Sequence, residues 1–230
     1  MFAAAVTRHW LPPVPDGGGF SLTVDAALDE DERLTVLVTA DGRTRIRLTP
    51  AMAETLGRPR DEPEFRQRLA SAGIVLHGAD NLFYFTDEAR ETLLAEPDDA
   101  SVRPLTGSDA EAFAAFEAAA SEQDLDDASV ELDHWAVYGA FADGQLAAVA
   151  SMYPWRAAPL ADLGVVTLPA HRGKGHARRL VRAISRHALG REHEPQYRCQ
   201  LDNHASIALA ASAGLTLFGT WDIVSPGSPR

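Results

Sequence analysis

Cysteine, lysine and long apolar runs are scarce in this sequence. Cys199 is the only cysteine among 230 residues, which argues against a disulfide framework and against a cysteine-based metal site. Lys174 is the only lysine, although arginine is frequent. The apolar runs are interrupted or fall well short of the ~20 residues that cross a bilayer. We therefore expect no transmembrane helix.

Basic residues are outnumbered by acidic ones. The chain has 33 Asp and Glu against 21 Lys and Arg, which gives a net charge of −12. Such a negative surface repels nucleic acid and anionic membranes, so neither is expected as a partner. The first residues contain a short apolar stretch without a basic region before it, which argues against a signal peptide. We expect a cytoplasmic protein, and a homodimer is compatible with these features.

The charges are distributed unevenly along the chain. Residues 163–191 carry seven Lys and Arg and no acid, whereas residues 104–155 carry ten acids and no Lys or Arg. The single lysine lies within the cationic segment. Residues 163–191 therefore favour an anionic ligand, although the net charge of the chain is negative.

The segment AEPDDAS, residues 95–101, predicts a boundary between two domains, because a proline and paired acids interrupt a helical pattern there. In the first domain, residues 1–97, RLTVLVTADGRTRIRLT predicts a β-hairpin, because Asp-Gly separates two β-rich runs. Helical patterns and a further strand follow, so we expect an α/β domain of unknown role. The glycines at 17–19 lead into a strand, which predicts an irregular turn and no phosphate loop.

The second predicted domain, residues 102–230, follows the order strand, helices, three strands, helix, strand, helix, strand. Ser108 and Glu111 have capping-box spacing ahead of its first helix. The turn ADGQ predicts a hairpin between HWAVYGAF and QLAAVASMYPW. The strand ADLGVVTLP then leads through a glycine-rich loop directly into a basic amphipathic helix.

This glycine-rich loop is suited to an anion. The N–H groups at a helix start stabilise negative charge, and Gly173 and Gly175 allow close approach of the backbone. A P-loop requires Ser or Thr directly after its lysine, but Gly175 follows Lys174. A Rossmann loop requires a third glycine where Arg178 stands. The pattern therefore argues against both of these nucleotide loops.

The loop resembles that of the GNAT superfamily of acyl-CoA-dependent N-acyltransferases. The family pattern is Arg or Gln, two residues, Gly, one residue, and Gly or Ala, and Arg172, Gly175 and Ala177 match it. Pro169 lies where the family commonly has a proline. The resemblance covers residues 102–225 and implies an α/β GNAT fold. In that fold a mixed, mostly antiparallel central sheet splays between its fourth and fifth strands and is flanked by helices.

A second motif, Asn203 and Ser206 followed by Gly-Leu at the helix end, is similar to the family's N-x-x-[AS] helix. The resemblance implies acetyl-CoA as co-substrate, with strand backbone bonded to pantetheine and loop amides bonded to pyrophosphate. The implied CoA-binding residues are Val165, Val166, Thr167, Arg172, Gly173, Lys174, Gly175, His176, Ala177, Arg178, Asn203 and Ser206. Alternatively, Asn203 is only a helix cap, and most of the arginines form a solvated face from which one or two reach phosphate. No metal is expected, because the histidines lack the spacing of a shared site.

Acyl transfer to an amine needs a base and a donor for the tetrahedral oxyanion. The family uses an amide of its fourth strand, which implies the N–H of Val166 or Thr167, and we expect Gly164 in a β-bulge beside it. The base stays open between a water chain to another acid and four side chains, which are Asp162, His134, Glu131 and Asp133. Asp162 is one residue away from the family's usual position, which points it to the other face of the strand.

Ala210 stands where many members of the family have a tyrosine acid. Two functions therefore stay open. One is an N-acyltransferase that moves an acetyl group from acetyl-CoA to a primary amine of a small molecule or protein, and the other is a non-catalytic acyl-CoA sensor. The acids of residues 117–133 favour a cationic acceptor amine. The alternative is that they form only a solvated acidic face.

Overall fold

The computed structural model of the protein describes residues 1–11 and 18–229, where the chain forms two compact units. The first unit contains Met1–His9, Phe83–Arg198 and His204–Thr216, and the second contains Trp10–Leu82, Cys199–Asn203 and Leu217–Arg230. The predicted turn at residues 17–19 begins outside the described residues. The predicted domain boundary near residue 97 stays a prediction, and the segment that carries it lies within the first unit.

The described residues form eight α-helices and ten β-strands. The helices are α1 (Ala4–Trp10), α2 (Pro50–Leu56), α3 (Glu62–Ser71), α4 (Asp87–Ala95), α5 (Ala110–Ala119), α6 (Glu122–Ala128), α7 (His176–Leu189) and α8 (His204–Ala213). The strands are β1 (Phe20–Val24), β2 (Leu34–Thr39), β3 (Thr44–Leu48), β4 (Asp80–Tyr84), β5 (Val102–Pro104), β6 (Ala136–Ala142), β7 (Gln145–Pro154), β8 (Leu160–Thr167), β9 (Glu194–Gln200) and β10 (Thr216–Ile223). In the part of the chain that is described, no helix is long and apolar enough to cross a membrane.

In the second unit, β2 and β3 form the hairpin that the sequence predicts. They pair antiparallel around Val36 and Ile46, and Gly42 in the turn has φ 82°, a conformation that glycine adopts without strain. β1 pairs in parallel with β3, and β10 pairs antiparallel with β2. The sequence predicts β10 as the last strand of the second domain, whereas in the structure it extends this hairpin.

The core of the second unit lies between this sheet and two short helices. The side chain of Thr49 caps α2 and that of Asp61 caps α3, and each helix has a proline in its first turn. The buried residues of this core are Leu34, Val36, Ile46, Leu48, Met52, Leu56, Phe65, Leu69, Ile74 and Val224. Apolar residues at helical and at alternating spacing thus meet in one cluster.

In the first unit, the strands lie in the order β9-β8-β7-β6-β5. β5 to β8 pair antiparallel, and β8 pairs with β9 in parallel. Phe113 and Phe116 of α5 pack with Val137, Val149 and Val166 of the sheet. α7 packs against β6, β7 and β8. The predicted fold class, a mixed and mostly antiparallel sheet flanked by helices, is confirmed.

The expected bulge at Gly164 is wrong. β7 and β8 pair residue for residue from Pro154↔Ala161 to Ala148↔Thr167. The irregularity lies between β6 and β7, where the register shifts between Ala140 and Phe141 and Ala147 of β7 is the extra residue. Glycine is needed at position 164 for a different reason. A Cβ atom there would overlap the carbonyl oxygen of Ala128, at the end of α6.

We therefore expect Gly164→Ala to destabilise the protein by about 1–3 kcal/mol, the usual cost of overpacking a core. Chemical denaturation measures the change in the free energy of unfolding. Gly107→Ala is the matched control in the same unit, because a Cβ atom there meets nothing within 4 Å. Equal stabilities of the two variants would mean that the end of α6 moves away at no cost.

Candidate active site

β8 and β9 part at the middle of β8. They pair from Leu160↔Glu194 to Leu163↔Tyr197, and no pairing between them follows among the described residues, although β8 continues to Thr167. The other edge of β8 stays paired with β7 over this stretch. The last four residues of β8 therefore present their backbone groups to the gap, and the predicted splay of these two strands is confirmed.

Thr167 lies at the end of this gap. Its hydroxyl oxygen is buried and bonds to no residue that the structure describes. Buried hydroxyl groups without a partner are uncommon, and they are often found where a ligand or an ordered water completes the bonding. A polar ligand lying along β8 would supply the missing partner.

The loop after β8 ends at the start of α7. Pro169–His171 form one 3-10 turn, and both glycines of the loop are left-handed, with φ 73° at Gly173 and φ 78° at Gly175. Gly175 caps α7 without a side chain, so no side-chain oxygen competes for the first N–H groups of the helix. The splayed strand, the loop and the helix start thus follow each other directly, as an anion-binding turn requires.

The side chains of the loop support its shape in different ways. Arg172 forms an ion pair with Asp124 at 2.9 Å and donates to the Thr167 carbonyl at 3.2 Å. Lys174 is exposed. Burial, followed by the charges of neighbouring basic groups, lowers the pKa of His176 below its ordinary value. Its Nδ1 accepts a hydrogen bond from Arg179 at 3.0 Å, which requires the neutral ring at that nitrogen.

The arginines of α7 have acidic or backbone partners inside the first unit. Arg182 pairs with Glu96 and Arg186 pairs with Asp98. Arg178 donates to the Ser212 carbonyl at 2.8 Å. The sequence predicts that most of these arginines face solvent and that one or two reach phosphate. Their acidic partners come from AEPDDAS, a segment that the sequence presents only as a linker.

Asp162 lies one residue before the last pair that β8 forms with β9, and it is almost completely buried. Its oxygens accept hydrogen bonds from Arg198 at 2.7 Å, from Gln196 at 2.8 Å and from Tyr153 at 3.1 Å. Burial and the charge of Asp162 raise the pKa of Tyr153. The guanidinium of Arg198 also lies over the ring of Trp155. This carboxylate is thus enclosed by donors that join β7, β8 and β9.

His134 lies just before β6 on the neighbouring part of the sheet. Its Nδ1 is 2.8 Å from the hydroxyl of Ser151, a buried residue of β7 that pairs with Gly164 of β8. Its Nε2 is 3.9 Å from a carboxylate oxygen of Glu131, a distance too long for a hydrogen bond. The Glu131 side chain is 62% exposed, so His134 connects a buried hydroxyl with the protein surface.

The second motif of the sequence lies at and just before α8. Ser206 lies in α8, and Asn203 lies just before this helix in a segment of the second unit, so its contact with a ligand stays a prediction. Ala210 is fully buried in α8. Burial raises the pKa of Cys199 to about 11, which makes this thiol unreactive at neutral pH. Among the described residues no group of His, Cys, Asp or Glu could hold a metal ion.

Comparison with known proteins agrees with this architecture. Residues 105–215 match the family model described as the acetyltransferase (GNAT) family, and no curated protein sequence matches the chain. A GNAT-family acetyltransferase from Colwellia psychrerythraea is similar in structure, with TM-score 0.53 and 19% identity. The match covers 72% of this chain and 62% of that one, so less than two thirds of the relative is represented.

Two further solved structures have lower TM-scores. A GNAT-family acetyltransferase from Novosphingobium aromaticivorans has TM-score 0.48 and 23% identity, with 69% of each chain covered. A GCN5-related N-acetyltransferase from Kribbella flavida has TM-score 0.49 and 18% identity, with 72% of this chain and 65% of that chain covered.

Proposed function

Because the chain carries a GNAT acetyltransferase domain at residues 105–215, we propose that it transfers an acetyl group from acetyl-CoA to a primary amine. The observation that carries the proposal is the parting of β8 from β9 directly before a left-handed glycine loop and a helix start that no side chain caps. Such a gap accepts an extended amide chain, and the helix start accepts an anion. Acetyl-CoA contains both groups in this order.

The donor is held mainly by backbone atoms. Amides and carbonyls of Val165, Val166 and Thr167 bond to the pantetheine arm, and the Thr167 hydroxyl gains a partner there. The pyrophosphate lies at the loop amides and the helix start. The pyrophosphate is surrounded by residues of the loop and of the first turn of α7. These residues are Arg172, Gly173, Lys174, Gly175, His176, Ala177 and Arg178. Ser206 completes the proposed set toward the arm, and contact of Asn203, a residue of the second unit, stays a prediction from the family motif.

The chemical step is attack by the neutral amine on the thioester carbonyl. The oxyanion that forms accepts a hydrogen bond from the backbone N–H of Val166 or Thr167. The carbon–sulfur bond then breaks, the amide forms, and the amine proton passes to a base. A thiol ionises near pH ~8.5, so CoA thiolate is a tolerable leaving group without a tyrosine acid at Ala210.

We assign the base to His134 in preference to Asp162. The Asp162 carboxylate already accepts hydrogen bonds on both oxygens, so taking a proton would break an ion pair with Arg198. His134 has one nitrogen bonded to Ser151, while Nε2 lies toward the exposed Glu131. An amine between Nε2 and Glu131 would be attracted as a cation and then deprotonated.

The acceptor side favours a cationic amine. The exposed acids Asp126, Asp127, Glu131 and Asp133 lie on α6 and on the segment that leads to His134. Polyamines, aminoglycoside-like compounds and lysine side chains have the matching charge. The second candidate function, an acyl-CoA sensor without turnover, is favoured by one observation, the apolar Ala210 at the position of the family's acid.

The test is the release of free thiol from acetyl-CoA in the presence of a panel of amines. We expect turnover with at least one cationic amine, and a rate that rises with pH as the amine loses its proton. Calorimetry with CoA is run in parallel. Binding of CoA without thiol release from any amine would favour the sensor, whereas absence of binding would refute both functions.

A further inference from the structure

The segment of residues 96–99, here called the acidic strap, lies along the basic side of α7. Glu96 accepts a hydrogen bond from Arg182 at 2.8 Å, and Asp98 accepts one from Arg186 at 2.9 Å. Arg186 also donates to a backbone carbonyl of the strap at 3.2 Å. These two arginines are therefore held by short, direct bonds, and we regard them as structural.

The third ion pair of the acidic strap is different. The Nε atom of Arg179 lies 3.7 Å from an Asp99 oxygen, beyond hydrogen-bond distance, and this buried nitrogen bonds to no described residue. Asp99 is instead held by Ser101, whose backbone N–H donates at 2.9 Å and whose hydroxyl donates at 2.6 Å. Arg179 thus has a carboxylate nearby that satisfies its charge but leaves its Nε without a hydrogen bond.

Arg179 also lies beside the glycine-rich loop. Its Nη1 is 3.4 Å from the Lys174 carbonyl oxygen and 3.4 Å from the place that a Cβ atom on Gly175 would occupy. Its Nη2 donates to His176 at 3.0 Å. This guanidinium is therefore next to the amides to which the proposed function assigns the pyrophosphate.

We propose that Arg179 is a further phosphate-binding residue and that Asp99 is an internal competitor for it. When CoA binds, a pyrophosphate oxygen takes the place of Asp99 as the partner of Arg179, because arginine bonds to phosphate with charge-assisted hydrogen bonds. The acidic strap thereby lowers the affinity for CoA. This inference rests on the proposed function, since it concerns the same loop.

The experiment is calorimetry with CoA and with 3′-dephospho-CoA at low and high salt. Arg179→Gln should weaken both ligands by about 10-fold. Asp99→Asn keeps the acceptor for Ser101 but removes the charge, and it should strengthen both ligands by about 3-fold or more at low salt, with a smaller gain at high salt. Arg186→Gln and Asp98→Asn are the matched controls, and they should leave the affinities within about twofold.

The opposite signs of the two effects separate electrostatics from damage to the loop. Asp99→Asn introduced into Arg179→Gln should gain less than it does alone, because the two residues are coupled. Arg179→Lys, which keeps the charge, should recover part of the affinity if Arg179→Gln melts early. An unchanged or weaker affinity in Asp99→Asn overturns the proposal, and so does a loss in Arg179→Gln that is confined to CoA over dephospho-CoA. Failure of the wild type to bind CoA overturns the proposed function itself.

Discussion

Replacing Gly175 with glutamate is expected to abolish CoA binding, with a loss in affinity of about 100-fold or more. Gly175 has φ 78°, and a Cβ atom on it would lie 3.4 Å from Nη1 of Arg179. The new carboxylate would compete with pyrophosphate for the helix start and for Arg179. Calorimetry with CoA measures the loss, and circular dichroism checks that the variant is folded.

Gly42→Glu is the control for this substitution. Gly42 has φ 82°, its turn lies in the second unit, and a Cβ atom there meets nothing within 4 Å. Both variants place a glutamate in a left-handed conformation, at a cost of about 1–2 kcal/mol each. Only Gly175→Glu should lose CoA. If Gly175→Glu bound CoA with wild-type affinity, the glycine-rich loop would not be part of the CoA site.

His134→Gln is expected to lower kcat by about 10²- to 10⁴-fold, the usual contribution of a general base. The KM for acetyl-CoA should change little, because His134 lies outside the loop that holds the phosphates. Steady-state kinetics with the best amine of the panel measure both constants.

His193→Gln is the matched control for His134→Gln. The ring of His134 lies 5.0 Å from that of Tyr153, and the ring of His193 lies 5.0 Å from that of Trp135. A loss of ring packing alone should therefore have the same effect in both variants. If His134 is the base, kcat should fall by this factor only in His134→Gln. If instead Asp162→Asn lost kcat with unchanged CoA affinity while His134→Gln kept it, the base would be Asp162.

Local patterns in the sequence predicted the features that depend on neighbouring residues. The Asp41-Gly42 hairpin formed because the turn needs a positive φ, which glycine supplies. The parting of β8 from β9 followed from the family motif at Arg172 and Gly175. The sequence predicts a bulge at Gly164, whereas glycine is required there by the Ala128 carbonyl, 36 positions earlier in the chain, which no local pattern shows.

The polar partners in the site could not be predicted for the same reason. His134 was a candidate base, but its bond to Ser151 depends on the register of two strands that pair through space. Asp162 was also a candidate, and its ion pair with Arg198 joins residues 36 positions apart. The three acids of residues 95–101 could have indicated from the sequence that this segment neutralises some of the arginines of α7. The choice of partner for each arginine required the structure.

If the chain binds acetyl-CoA as proposed, the exposed position of Lys174 has a chemical consequence. Enzymes that handle activated thioesters are exposed to acylation of their own amines, and a lysine amine is the usual target. In this chain the one lysine side chain lies in the loop that would carry pyrophosphate. Self-acylation of a side-chain amine would therefore be confined to Lys174, and bound CoA would shield this amine. Lys174 is also the only side-chain amine that an amine-reactive fluorophore could label, and a dye there would report occupancy of the loop once the α-amino group is blocked.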